Sequence, residues 1–288
     1  NVTIKGLNPG MRSNIDVNGI NDLLGPGGGS KLVARNAEAA IKVETGMKGV
    51  KIMNLMVSGG PKARNIGIHF VGATDNGMLS NIIGINLHTG VKIEQAKNMQ
   101  IVNCWVCELP NSIELIGGEN IVVKNCQLGA QPTGITCKVQ EVNKLSFINN
   151  QVYPDGRENL VLDACNNCVI EGNNFKSYYN GILVLNGNDN TVNKNIFWLT
   201  GAVQNQLLDH GEDFGIINVK GNNNMVASNS LSCEWAYAGA VTVNAVQGTG
   251  NVFKNCFVDN LESYRVFLVN AQTEVSNCVS SDKVSIVE

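Results

Sequence analysis

Apolar residues in this chain recur in short runs of period two, and the runs themselves recur. A Gly/Asn-apolar-x-apolar signature has its first apolar residue at Ile41, Ile68, Val91, Ile113, Ile135, Leu160, Ile182, Ile216, Val241 and Val266. The steps between them are 27, 23, 22, 22, 25, 22, 34, 25 and 25 residues. A second signature, apolar-x-Asn-small-x-apolar, follows each first one, as in Ile52-Met53-Asn54-Leu55-Met56-Val57 and Val123-Lys124-Asn125-Cys126-Gln127-Leu128. Its third position runs Asn54, Asn81, Asn103, Asn125, Asn149, Gly172, Lys194, Ser228, Asn255 and Asn277. Alternation of period two marks strands with one buried face, and Asn/Gly punctuation marks the bends between them.

A repeat of this length with several short strands predicts one coil of a right-handed parallel β-helix, each strand pairing with its counterpart one coil away. The leucine-rich repeat has a similar period, but its Leu-x-x-Leu-x-Leu pattern and helical segment are absent. Residues 1–288 then form a single solenoid of about ten to twelve coils. Ten are countable from Ile41, with one or two less regular coils before it. In-register stacking places like positions about 4.8 Å apart, so the residue after each repeated Asn is expected to form a ladder. Those residues are Cys104, Cys126, Asn150, Asn173, Asn195, Asn229, Cys256 and Cys278. Inward asparagines can satisfy one another's amides, whereas a lone buried amide costs about 1–3 kcal/mol.

The outward residue of the first signature runs Lys42, His69, Lys92, Glu114, Thr136, Val161, Leu183, Ile217, Thr242, Phe267. An apolar outer face needs a cover, so Val161, Leu183, Ile217 and Phe267 predict a subunit interface. Insertions locate function on a solenoid because extra residues bulge out as loops. Two are visible: Ser58 to Asn65, with Lys62 and Arg64, and Trp198 to Asp213, with Trp198, Asp209, His210, Glu212 and Asp213.

Composition narrows the partners. The 42 asparagines and 31 glycines make about a quarter of the 288 residues, too many poor helix formers for a helical protein. With 43% apolar residues and net charge −3 the chain can bury a core, which excludes disorder. No basic footprint suits nucleic acid and no apolar run suits a bilayer, so a neutral ligand fits better. Asn1 to Gly6 reads as a strand rather than a signal peptide, and secretion is an expectation the sequence does not spell out. Nine cysteines are too few for a disulfide scaffold. Cys165 and Cys168 form one CxxC at a corner of the repeat, half a zinc site, so neither metal nor cofactor is expected. The Cys104/Cys126 and Cys256/Cys278 pairs are expected to be free thiols.

Glycosidic cleavage needs two carboxylates across the scissile bond, or one aided by the substrate. The candidate acids are Asp155 and Glu158 around Arg157, with Asp163 nearby and Glu141 in the neighbouring coil. Arg157 suits a substrate clamp; Trp198, Glu212 and Asp213 offer a stacking ring and further acids from the long insertion. Three stretches go beyond generic repetition: Pro154 to Cys168, Tyr179 to Gly187, and Phe214-Gly215-Ile216-Ile217 followed by Gly221-Asn222-Asn223-Asn224. In these the chain resembles the difructose-anhydride-forming inulin fructotransferases and difructose-anhydride hydrolases of glycoside hydrolase family 91, from Val2 to about Leu231. The resemblance implies a homotrimer of right-handed β-helices with active sites between subunits, a fructan substrate, and a segment before Asn1. It also implies a catalytic aspartate in a Pro-Asp-Gly turn, where this chain has Pro132-Thr133-Gly134. The implied glutamate falls near Val142-Asn143, with Glu141 the nearest acid. Three readings stay open: a fructan-active enzyme with relocated acids, a different carbohydrate-active β-helix enzyme, and a non-catalytic glycan-binding or structural trimer.

Overall fold

A computed structural model describes residues 1–6, 30–34, 37–59, 65–200, 213–233, 241–259, 265–279 and 284–287. Its twenty-five strands pair with their neighbours one coil away in parallel, and among the described residues there is no helix. Each coil has three faces. Face A holds strands such as Ile66–Phe70, Glu158–Asp163 and Leu183–Asn186; face B holds Val169–Glu171 and Thr191–Asn193; face C holds Asn174–Ser177 and Ile196–Leu199. The long strands Thr89–Val102, Trp105–Lys124 and Gln127–Ile148 run round the corners without a break. About nine turns stack this way among the described residues, against the ten to twelve coils expected from the repeat.

Backbone geometry explains the repeated asparagine. All ten residues from Asn54 to Asn277 at the third position of the second signature lie in the left-handed region, with φ between 51° and 66°. That conformation turns the chain from face B to face C, and it costs ordinary side chains roughly 1–2 kcal/mol while asparagine and glycine tolerate it. Lys194 is the least suited occupant of the row, at φ 55°. Its ion pair with Glu171, at 3.4 Å, is exposed and worth little. Lys194→Gly is therefore expected to raise stability by about 0.5–1 kcal/mol, read as a higher urea midpoint. An unchanged or lowered midpoint would mean the corner carries no strain.

The residue after each corner points into the core, where asparagines bond from coil to coil. Asn150, Asn173 and Asn195 each donate a side-chain N–H to the Oδ1 of the asparagine in the next coil, at 3.0, 2.9 and 3.0 Å. Each of those oxygens also accepts the backbone N–H of the preceding asparagine. Cysteine does the same job at the ends of the run: the backbone N–H groups of Cys104 and Cys256 point to the Sγ of Cys126 and Cys278, at 3.5 and 3.4 Å. A second run, which the sequence pattern did not disclose, links Asn190, Asn224 and Asn251 at the corner between faces A and B. Beside them the core is apolar, with Phe147, Phe175 and Phe197 stacked at 6.0 and 5.0 Å between centroids.

Face A corrects the expected outward ladder. Its core row in register is Ile41, Ile68, Val91, Ile113, Cys137, Leu160, Leu183, Ile217, Val243 and Phe267. Leu183, Ile217 and Phe267 are thus fully buried inside the coil, not on an outer face. The outward row is Lys42, His69, Lys92, Glu114, Lys138, Val161, Val184, Asn218, Asn244 and Leu268, in which Val161 alone of the four expected interface residues appears. The cause is the triple run Ile182-Leu183-Val184 and its like. Ile182 and Ile216, in the bend before the strand, and Val266, inside strand Arg265–Asn270, are buried too. Counting parity from them slips the pattern by one residue and inverts the face. The apolar-face argument for a trimer falls with it, and self-assembly then rests on the resemblance alone.

Candidate functional site

The corner between faces C and A varies most in the number of residues between its flanking strands. Both expected insertions, Thr133 and the Asp155–Glu158 turn all fall there. The first insertion begins within strand Lys51–Gly59, and its Lys62 and Arg64 lie outside the described residues. The second starts later than expected, since Trp198 belongs to strand Ile196–Leu199 on face C. The Nζ of Lys176 sits 4.8 Å from the centre of the Trp198 ring, a cation–π pair between adjacent coils. Asp209, His210 and Glu212 lie outside the described residues, while Asp213 is exposed and its carbonyl accepts a bond from the Asn244 amide.

The candidate acids do not gather in one place. Asp155, Arg157 and Glu158 share the turn before strand Glu158–Asp163, with Arg157 Nε 3.8 Å from Glu158 Oε1. The Arg157 backbone N–H donates to the Gly134 carbonyl at 2.8 Å, which ties this turn to the one carrying Thr133 in the preceding coil. The Thr133 side chain is outside what the structure describes. Glu141 sits at the other end of face A, at φ 55° in the bend towards face B. In register, Glu158 lies opposite Ile135 and Asp163 opposite Gln140, so a face-A strand of five or six residues separates Glu141 from the turn. At about 3.3 Å per residue that is roughly 17–20 Å.

A cleft of about 500 Å³ lies on the outer side of face C. Trp105, Cys107, Glu108, Gly129, Ala130, Tyr153 and Asp155 line it. Trp105 and Cys107 belong to a small apolar cluster with Met56, Ile83 and Ile85, against which Tyr153 packs, separate from the main core. The Tyr153 hydroxyl donates towards Gln127 Oε1 at 3.5 Å. Glu108 and Asp155 are both exposed at the rim. Val106, Leu128 and Val152 stack in register just before them, so their backbones lie two coil steps, about 10 Å, apart.

Glu108 was missed in the sequence, and so was Trp105. Glu108 takes φ 63°, which glutamate rarely adopts, where the pairing register breaks between Val106 and Leu109. Such bulges re-aim side chains and recur beside binding sites. The signal was present in Val106-Cys107-Glu108-Leu109-Pro110, where period-two alternation fails just before a proline.

The CxxC is structural in its surroundings. Cys168 heads the second asparagine run, its backbone N–H donating to Asn190 Oδ1 at 2.8 Å. Cys165 and Cys168 are fully buried, and burial pushes their thiols up to about 11 and about 12. Among the described residues no group of three or more His, Cys, Asp or Glu is placed to hold a metal ion. A maleimide probe at pH 8 is expected to leave both thiols unmodified in the folded protein and to label them after denaturation, since the thiolate is the reactive species. Labelling of either in the native state would contradict this placement. Eight described cysteines, Cys104, Cys126, Cys256 and Cys278 among them, are free thiols.

The family described as "Right handed beta helix region" matches residues 133–286, more than half of the chain. The chain belongs to that family. Among solved structures, DFA-IIIase from Arthrobacter chlorophenolicus A6 without its lid superposes with a TM-score of 0.81 at 21% identity, covering 99% of this chain and 80% of that one. The same enzyme in complex with GF2 gives 0.78 at 20% identity, covering 100% and 82%. The A-module of Azotobacter vinelandii mannuronan C-5 epimerase AlgE6 gives 0.50 at 9%, covering 86% and 80%. Among curated proteins nothing matches. At these identities the likeness establishes a shared parallel β-helix and no more.

Proposed function

We propose that this is a carbohydrate-binding β-helix protein whose outer cleft between Trp105 and Tyr153 takes a fructan or difructose-anhydride ligand. The observation that carries this is the cleft itself: two aromatic side chains beside two rim carboxylates, Glu108 and Asp155. Aromatic rings present a flat apolar face to the C–H side of a sugar, and carboxylates accept its hydroxyls. The likeness to DFA-IIIase supports fructan as the first ligand to test.

Thr133 favours binding over efficient turnover, since threonine cannot supply the carboxylate that the resembled family carries in that turn. Incubating the full chain with inulin and with difructose anhydride III, with chromatography for products and calorimetry for binding, tests both halves. Binding with slow or no product formation is the expected result. Rapid turnover would overturn the weak-activity part, and absence of binding to either sugar would overturn the assignment. The same reading takes the protein as a homotrimer, and light scattering showing a monomer at micromolar concentration would exclude it.

A further inference from the structure

Face A carries a second concave surface, apart from the cleft on face C. Two adjoining hollows of about 540 and 500 Å³ meet at Lys220. Their outward side chains fall into two rows along the helix axis. One row is Lys138, Val161, Val184, Asn218 and Asn244; the other is Gln140, Asp163, Asn186, Lys220 and Val246. Five coil levels give four steps of about 4.8 Å, a track roughly 19 Å long.

From this we propose that the groove over face A binds a neutral, extended, β-linked pyranose oligosaccharide running parallel to the helix axis. Three features of the groove select that ligand. Its floor at the middle levels is apolar, with Val161 and Val184 half-buried, and suits the C–H face of a pyranose. Its walls carry a polar side chain at every level, with Lys138, Gln140, Asp163, Asn186 and Lys220 facing the hollow, as hydroxyls require. Asp163 Oδ1 accepts from Asn186 at 2.7 Å, while Lys138 and Lys220 have no ion-pair partner among the described residues. Its charges balance, the two lysines against Asp163 and Asp213, so neither a polyanion nor a polycation is favoured. The periodicity agrees as well, because an extended β-linked pyranose chain advances per sugar by nearly the same step as the solenoid does per coil. Successive sugars of such a chain are flipped, so like groups on the protein meet like hydroxyls at every second coil.

The groove and the face-C cleft are independent: one concerns binding of a chain on face A, the other a fructan-type ligand at Trp105 and Tyr153. The test is calorimetry of the full chain with glucose, cellobiose, cellotetraose and cellohexaose, repeated with Gln140→Ala, Lys220→Ala and Asp155→Ala. Affinity is expected to rise at least tenfold from cellobiose to cellotetraose and then to level off near the length of the track. Gln140→Ala and Lys220→Ala should each weaken cellotetraose about 5- to 10-fold, with circular dichroism unchanged, while Asp155→Ala leaves it alone. Equal affinity for all lengths, no binding of any, or loss through Asp155→Ala with the groove variants silent would overturn the proposal. So would groove variants that dissociate an oligomer without any sugar binding, since the surface would then belong to a second copy of the chain. None of these outcomes decides whether inulin or difructose anhydride III binds on face C.

Discussion

Asn195→Leu is expected to destabilise the solenoid by about 3–5 kcal/mol, a large fraction of a domain's net stability. The side chain takes part in four hydrogen bonds: it accepts from the Asn173 backbone and amide at 2.9 Å each, and donates to the Ile170 carbonyl at 2.8 Å and to Asn229 Oδ1 at 3.0 Å. Leucine has similar volume, so little of the cost comes from packing. The Asn173 backbone N–H is left in the dry interior without its acceptor, and an orphaned buried donor costs about 1–3 kcal/mol beyond the bonds lost. Asn195→Cys is expected to cost less than half as much, since Sγ already accepts the same N–H at Cys126 and Cys278. Urea denaturation of the three proteins measures the series. A leucine variant within about 1 kcal/mol of the parent would show that the asparagines are not structural.

The second large effect concerns the rim acids. On any fructan or difructose-anhydride turnover, Glu108→Gln and Asp155→Asn are each expected to lower kcat by about 10²–10⁴-fold, the usual contribution of a positioned proton-transfer group. Because the amides keep shape and most hydrogen bonding, sugar affinity should change only a few-fold. Glu141→Gln, at the far end of the face-A strand, is expected to change neither. Glu108→Gly separates strain from chemistry: glycine relieves φ 63°, so stability should rise while turnover is lost. Turnover that survives both rim substitutions, or that Glu141→Gln abolishes, would move the acid chemistry away from this cleft.

The repeat was legible because each coil must solve the same backbone problem. A left-handed bend every coil favours Asn or Gly at one position, and a stacked interior favours a self-satisfying side chain at the next, so Asn54 to Asn277 and Cys104 to Cys278 report the fold directly. Parity on face A was not legible. Where Ile182, Leu183 and Val184 are all apolar, only the pairing of Leu183 with Leu160 and Ile217 decides which of them faces the core. The grouping of acids was equally beyond the sequence. Asp155 and Glu158 are neighbours in the chain, yet the acid that shares a cleft with Asp155 is Glu108, two coils away, and Glu141 is carried to the opposite corner. Sequence sets what each coil needs locally; which side chains meet is decided by the stacking distance and the corner at which each coil bulges, and those exist only in the folded solenoid.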